Sequence, residues 1–265
     1  MSELDDLARR NRQAWEKDVQ QNGPYTVPWL DLEPNVLRAF AKGEIETLPE
    51  PYVYIYPPEI LRNLAGKDVL CLASGGGQQS VVFGLLGAKL TAWDLTEGQL
   101  AGDRRAAEHY GYEIKTIPGD MRDLSGITPE SFDLVYQAIS MCFVPDVRQV
   151  YREVARVLRP GGLYRVGHIN PGTYLVDEDS WDGAAYHIAG PYFGGQLPEE
   201  EQDGFSEFRH HLSDVFNGLI DAGFTIEGVW EDPRHLQHDP QAQPGTDRHL
   251  LNSVQKFFCI LVRKK

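Results

Sequence analysis

The feature that most constrains this chain is the run Val69-Leu70-Cys71-Leu72-Ala73-Ser74-Gly75-Gly76-Gly77-Gln78-Gln79-Ser80. An apolar, strand-like stretch ends in three glycines and continues into residues able to open a helix. Glycines at such a junction let the backbone turn sharply and approach a ligand where a Cβ would collide. The helix that follows directs its free N–H groups at whatever sits there. An open α/β sheet holds a nucleotide-like cofactor in this way.

The rest of the chain alternates accordingly. The pattern predicts strands over 68–73, 89–93, 113–117, 133–138 and 163–168, with helices over 78–86, 97–110 and 146–158 between them. The last of these helices carries Val147, Val150, Tyr151, Val154 and Leu158 on one face. A further helix over 208–222 and strands over 224–230 and 256–262 follow. Strands alternating with helices imply a mostly parallel sheet with helices on both faces, an α/β, Rossmann-like architecture. Four segments of a single domain are expected: an N-terminal helical cap (1–58), a cofactor-binding core (59–169), a lid insertion after the fifth strand (170–206), and a C-terminal helix with strands (207–265). The lid is inferred from a stretch too long for an ordinary connection, and 232–251 reads as a polar loop.

Composition excludes several classes. Among 265 residues the formal net charge of −14 argues against nucleic acid, whose phosphates require clustered Lys and Arg. No stretch approaches the length of an apolar membrane span. The acidic start, Met1-Ser2-Glu3-Leu4-Asp5-Asp6, lacks the order of a secretion signal. Cys71, Cys142 and Cys259 lie in apolar runs without ligand spacing, so buried free thiols and a cytoplasmic location are expected. His235, His238 and His249 are scattered among acids in no ligand spacing, and no metal is expected.

Two cofactors fit the glycine turn alone. Gly75, Gly77 and Ser80 approximate a dinucleotide spacing, and Asp94, ending the second strand, could hold the ribose diol of NAD(P) or of another nucleoside. The wider series separates them. "DVLCLASGGGQQ", "LTAWDLT", "IPGDMRDL", "FDLVYQAISMCFVPD" and "EVARVLRPGGLYRV" together resemble the class I S-adenosylmethionine-dependent methyltransferase family, over about residues 66–168. The resemblance implies a seven-stranded sheet whose last strand is antiparallel. It implies S-adenosyl-L-methionine as cofactor; the expected acceptor is a small molecule, since the acidic balance disfavours RNA or DNA. The loop departs from the family's Asp-x-Gly-x-Gly: Cys71 or Leu72 stands where the usual acid would be.

Carried over by position, the resemblance gives Ser74, Gly75 and Gly77 to the methionine part of the cofactor. It gives Asp94 to the ribose, with Leu95 near the adenine. Asp120 would meet the adenine amino group with Met121 beside the ring, and Gln137 and Ala138 would line the methionine end. For a general base the sequence offers His168, at the end of the fifth strand, and His187 in the lid, with His210 and His211 behind them. The competing reading of each is a partly buried hydrogen-bonder. Trp15, Tyr25, Trp29, Tyr52, Tyr54, Tyr56, Tyr174, Trp181, Tyr186, Tyr192 and Phe193 are candidates to roof an acceptor pocket. A nicotinamide oxidoreductase and a catalytically silent binding module on the same fold are the alternatives.

Overall fold

The computed structural model describes residues 4–73, 75–176, 178–188, 190, 192, 194–197, 204–232 and 238–265. The N-terminal segment supplies α1 (Asp6–Gln20) and α2 (Pro34–Lys42). The alternating core follows as β1 (Asp68–Leu72), α3 (Gln79–Leu85), β2 (Lys89–Asp94), α4 (Glu97–Tyr110), β3 (Ile114–Pro118) and β4 (Phe132–Ile139). Next come α5 (Val147–Val157) and β5 (Leu158–Ile169). Two short strands, β6 (Gly195–Gln196) and β7 (Phe208–Arg209), precede α6 (Leu212–Asp221), β8 (Phe224–Glu231), α7 (Asp247–Leu250) and β9 (Phe257–Lys264).

Seven strands form the main sheet in the order β3-β2-β1-β4-β5-β9-β8. The first five are parallel, and β9 runs antiparallel to both neighbours. The chain reverses its direction of growth between β1 and β4, so the glycine loop leaves β1 at the topological switch point, where open α/β sheets form their ligand crevice.

Both faces of the sheet are covered at its centre, where β1 and β4 are largely buried, whereas the edge strand β8 alternates between partly buried and exposed residues. On β1, Leu70 and Leu72 join the core under α5 and α6, while Val69 and Cys71 join the core beneath α2 and α3. Helix α5 begins at Asp146, whose carboxylate accepts from the Arg148 amide at 2.9 Å, and buries Val147, Val150, Tyr151, Val154 and Val157. All three cysteines are free and buried.

Three expectations differ from the structure. The Arg159-Pro160-Gly161-Gly162 turn does not precede the fifth strand but bulges within it: β4 pairs Phe132 with Leu158 and then Leu134 with Leu163. Arg159 fastens that bulge to Asp68 and Asp133 at 2.8 and 3.0 Å. The helix expected from Phe208 starts only at Leu212, because Phe208 and Arg209 pair with Gln196 and Gly195 and His211, before the helix, is extended. The polar loop after β8 contains α7, begun by Thr246, whose hydroxyl accepts from the His249 amide.

The N-terminal segment packs onto the core as a roof. Glu16 of α1 accepts from the Glu97 amide at 3.0 Å and so caps α4 from outside, replacing a side-chain cap that Thr96 does not make. Asp5 caps α1 and binds Arg122 of the β3–β4 connection at 2.8 Å. Asn11 exchanges hydrogen bonds with the Ser206 backbone at 2.6 and 3.2 Å.

Candidate active site

The glycine loop is a run of left-handed backbone. Ala73 has φ +49°, and Gly75, Gly76 and Gly77 have φ +75°, +73° and +83°. Its lack of side chains serves close packing as well as conformation. A Cβ on Gly77 would lie 2.5 Å from the Gly102 carbonyl oxygen and 3.0 Å from Pro28, and one on Gly76 would lie 3.1 Å from the Thr26 oxygen. Residues 24–29 of the cap therefore run as a strap across the loop. The Trp29 amide donates to Gly77 at 3.1 Å, and Gln78 Nε2 donates to the Pro24 and Val27 carbonyls at 2.8 and 3.0 Å.

Beneath this roof lies a cavity of about 590 Å³, within the range of roughly 300–1,000 Å³ typical of small-molecule sites. It runs from the ends of β2 and β3, past the glycine loop, to the far side of β4 and β5. Of the residues expected to hold a cofactor, Gly75, Asp94, Leu95, Asp120, Met121 and Ala138 line it. Ser74 lies outside the described residues. Asp94 is buried at the mouth of α4, where its Oδ1 accepts from the Thr96 amide and hydroxyl at 2.9 and 2.7 Å. Asp120 faces the cavity with its carboxylate bound to Arg122 at 2.6 Å. Burial works against the charge on Arg122, but the hydrogen bonds and charges of Asp5 and Asp120 outweigh it and hold the guanidinium firmly protonated.

Gln137 and Gly77 correct the expectation. Strand β4 alternates, so Tyr136 and Ala138 face the cavity and Gln137 faces the opposite core. Its amide nitrogen reaches Ser140 at 2.9 Å and the Met121 sulfur at 3.2 Å, and its side-chain oxygen accepts from Tyr164. Gly77 lies against Gly102 and the strap, outside the lining.

The histidines are corrected as well. Arg165 and Ile169 of β5 line the cavity, which puts His168 on the other face. His168 is 3% exposed, shares a 3.0 Å hydrogen bond with the Tyr151 hydroxyl, and stacks on Phe258. Burial, with smaller contributions from His210 and Arg165, depresses its pKa to about 3. His187 is exposed and pairs with Asp182 at 2.6 Å, away from the cavity. His210 binds the Met141 carbonyl at 3.0 Å, and its pKa is lowered by burial. Among the described residues no histidine lines the cavity, and no group of three or more His, Cys, Asp or Glu could hold a metal.

The roof comes from the cap. Trp15, Tyr25, Trp29, Tyr54 and Tyr56 line the cavity, whereas Tyr52 is in the core and Trp181 and Tyr186 cluster with His249. No described residue of 170–206 is part of the lining, and Phe193 lies outside the described residues.

Sequence reasoning missed Gln79 and Gln99. Both line the cavity beside the glycine loop, and the Oε1 of each is buried without a donor. For Gln79 the signal was present as the Gln-Gln that closes the variant loop, but an amide carries no charge pattern to mark it; Gln99, on α4, had no such signal.

Residues 70–166 match the family model for a methyltransferase domain. The chain is 35% identical over 235 residues to the uncharacterised methyltransferase YbaJ of Bacillus subtilis, covering 85% of this chain and 91% of that protein. The chain belongs to the class I S-adenosylmethionine-dependent methyltransferase family. The malonyl-[acyl-carrier protein] O-methyltransferase of Salmonella typhimurium is 32% identical over 208 residues, covering 74% of this chain and 77% of that one. An S-adenosylmethionine-dependent methyltransferase structure from Mesorhizobium loti shares the fold at TM-score 0.60 and 24% identity, covering 89% of this chain and all of that one.

The methyltransferase cavity fits its cofactor on the chain's own evidence. Two buried acceptor oxygens without donors suit a cationic amino group in a site that lacks the family's usual acid. Among the described residues no helix is long and apolar enough to cross a membrane.

Proposed function

We propose that the chain transfers a methyl group to a small-molecule acceptor by in-line displacement inside the capped cavity. The observation that carries this reading is the continuity of that cavity. One end holds Asp94, Leu95 and the Gly119–Met121 turn; the other is walled by Trp29, Tyr54, Tyr56, Tyr136 and Phe257. Two reactants held end to end in one roofed cavity meet the chief requirement of such a displacement. Orientation at attack distance can contribute ~7–11 kcal/mol.

When bound, S-adenosylmethionine supplies a methyl group already activated on a sulfonium. Asp94 would accept from the ribose hydroxyls. Gly75 would let the backbone approach the methionine part, and Gln79 and Gln99 would accept from its amino group. Leu95, Asp120 and Met121 would border the adenine, and Ala138 the methionine end. Leu7, Ala8 and Trp15 of α1 would exclude water from above.

Among the described residues the wall supplies no histidine base. Burial pushes the Tyr56 and Tyr136 phenols up, which keeps them protonated at neutral pH. Glu207 and Asp232 also border the cavity, so an acceptor that must lose a proton would meet a carboxylate there and neither an imidazole nor a phenolate. An oxygen acceptor agrees with the name of the Salmonella relative.

Thermal melting tests the reading. S-adenosylmethionine and S-adenosylhomocysteine should each raise the melting temperature while NAD and NADP leave it unchanged, because a ligand of the native state stabilises it by mass action. A shift with NAD and none with either sulfur ligand would reject the proposal. Radiolabelled methyl transfer across a metabolite panel then identifies the acceptor.

A further inference from the structure

Arg165 sits on the cavity wall in a setting that its own fold does not explain. The residue is 3% exposed. Its Nε donates to the Tyr56 carbonyl at 2.9 Å and its Nη1 to the Gln137 carbonyl at 3.2 Å. The guanidinium carbon lies 4.9 Å from the centroids of both Tyr56 and Tyr136, held between the two rings. The Cys259 thiol is its remaining polar neighbour; no hydrogen bond from Nη2 to a described oxygen and no ion pair with a described carboxylate completes the set. Glu207 and Asp232 border the same cavity, each with a partner of its own, and Asp232 acts on Tyr56 and Cys259 beside the guanidinium without forming an ion pair to it. A guanidinium stays charged at any physiological pH, and a buried charge without a counter-ion is costly unless something supplies one.

We propose that Arg165 receives an anionic oxygen group of the methyl acceptor, and that the acceptor is a flat, conjugated carboxylate or enolate. Its position separates this role from cofactor binding. The glycine loop leaves β1, Asp94 ends β2, and the Gly119–Met121 turn follows β3, whereas Arg165 rises from β5, two strands beyond β1. At about 4.8 Å per strand, that is roughly 10 Å to the side of the glycine loop. The preference for a flat acceptor rests on the aromatic faces at this end: Trp29 and Tyr54, in tilted contact with centroids 6.2 Å apart, and Tyr56, Tyr136 and Phe257 around the same space, on which a planar ring can stack. A planar fork held between two rings presents Nη2 in a fixed direction, which suits a carboxylate or enolate oxygen better than a mobile ammonium would. An acceptor that arrives as an anion also needs no protein base, and no described histidine lines the wall.

The inference rests on the methyltransferase reading, and one calorimetric series separates their failures. The S-adenosylhomocysteine complex is titrated with matched pairs: benzoate against benzamide, and 4-hydroxybenzoate against 4-hydroxybenzamide. The carboxylates should bind roughly tenfold to a hundredfold tighter than the amides, the usual difference for a hydrogen bond to a charged group. In Arg165→Gln that preference should collapse while affinity for S-adenosylhomocysteine stays within about twofold of wild type. Arg165→Lys should keep only part of the preference, since it keeps the charge without the fork.

Equal binding of acids and amides by the wild-type complex, or binding of neither up to millimolar concentration, overturns the proposal even if both variants fail to fold. A large loss of S-adenosylhomocysteine affinity in Arg165→Gln overturns it too, by assigning the cation to the cofactor's own carboxylate. No binding of S-adenosylhomocysteine to the wild type sinks the methyltransferase reading instead.

Discussion

Replacing His168 by glutamine distinguishes a buried histidine from a catalytic one, and its effect can be worked out before the measurement. In the folded chain the ring is enclosed beside Tyr151 and Phe258, and its pKa is depressed to about 3 by burial first and then by His210 and Arg165. In the unfolded chain it titrates near ~6.5. Between these values the unfolded state holds one more proton than the folded state, so stability is complete above ~6.5 and declines as pH falls. The slope is ~1.4 kcal/mol per pH unit, which amounts to ~2 kcal/mol between pH 7 and pH 5. Glutamine does not titrate, yet it can still offer an oxygen to the Tyr151 hydroxyl. Loss of the ring stack costs about 0.5–1.5 kcal/mol at every pH. Urea denaturation of both proteins at pH 7 and pH 5 gives the double difference, in which His210 and the carboxylates cancel. Wild type should lose ~2 kcal/mol more than the variant on acidification. Parallel losses would refute the buried, neutral assignment. A hundredfold or greater drop in methyl transfer with S-adenosylhomocysteine binding intact would return His168 to the reacting atoms.

Three further outcomes test the cofactor end. Asp94→Asn should remain folded by circular dichroism and lose roughly tenfold or more in calorimetric affinity for S-adenosylhomocysteine; unchanged affinity would remove Asp94 from the ribose. Gln99→Leu removes a buried oxygen that has no donor in the protein together with a long, 3.5 Å hydrogen bond from its Nε2 to the Tyr25 carbonyl, so stability should fall by no more than ~1 kcal/mol while the same affinity drops roughly tenfold. A stability loss without an affinity loss would make Gln99 a packing residue. Gly77→Ala places a Cβ 2.5 Å from the Gly102 oxygen at φ +83°. It should cost at least ~2 kcal/mol in chemical denaturation, from left-handed strain and collision together; a neutral result would mean that the loop and α4 do not pack this closely.

The architecture was legible because local signals agreed with one another. Glu97–Tyr110 is the helix that the pattern predicts, and β1 to β4 lie within one or two residues of their expected bounds, whereas β5 begins five residues early, at Leu158. Errors arose where partners distant in sequence decide. Phe208 and Arg209 look helical until Gly195 and Gln196 pair with them, and the Arg159–Gly162 bulge depends on Asp68 and Asp133 for its anchorage. No window of sequence contains both members of such pairs.

The site was legible in proportion to how much of it lies on strand ends and their loops. Gly75, Asp94, Leu95, Asp120, Met121 and Ala138 all come from positions that the alternating pattern brings to one edge of the sheet. His168 and Gln137 failed for a reason that the sequence already contained. Along a strand, side chains alternate between faces, so a residue can sit at the correct depth and still face away. Arg165 and Ile169 share the cavity face of β5, and His168, one position off that parity, cannot join them. The roof was the least legible part, because α1 and the strap reach the cavity only through tertiary docking. The glycine loop ties these lessons together. Its three glycines suggest a cradle for a cofactor alone, yet in the fold Gly76 and Gly77 leave room for the strap and for α4, while Gly75, Gln79 and Gln99 turn to the cavity. Gln78 holds the strap down from the same loop. One short segment thus sets both the floor and the roof of the site, and a substitution there should change cofactor affinity and cap docking together.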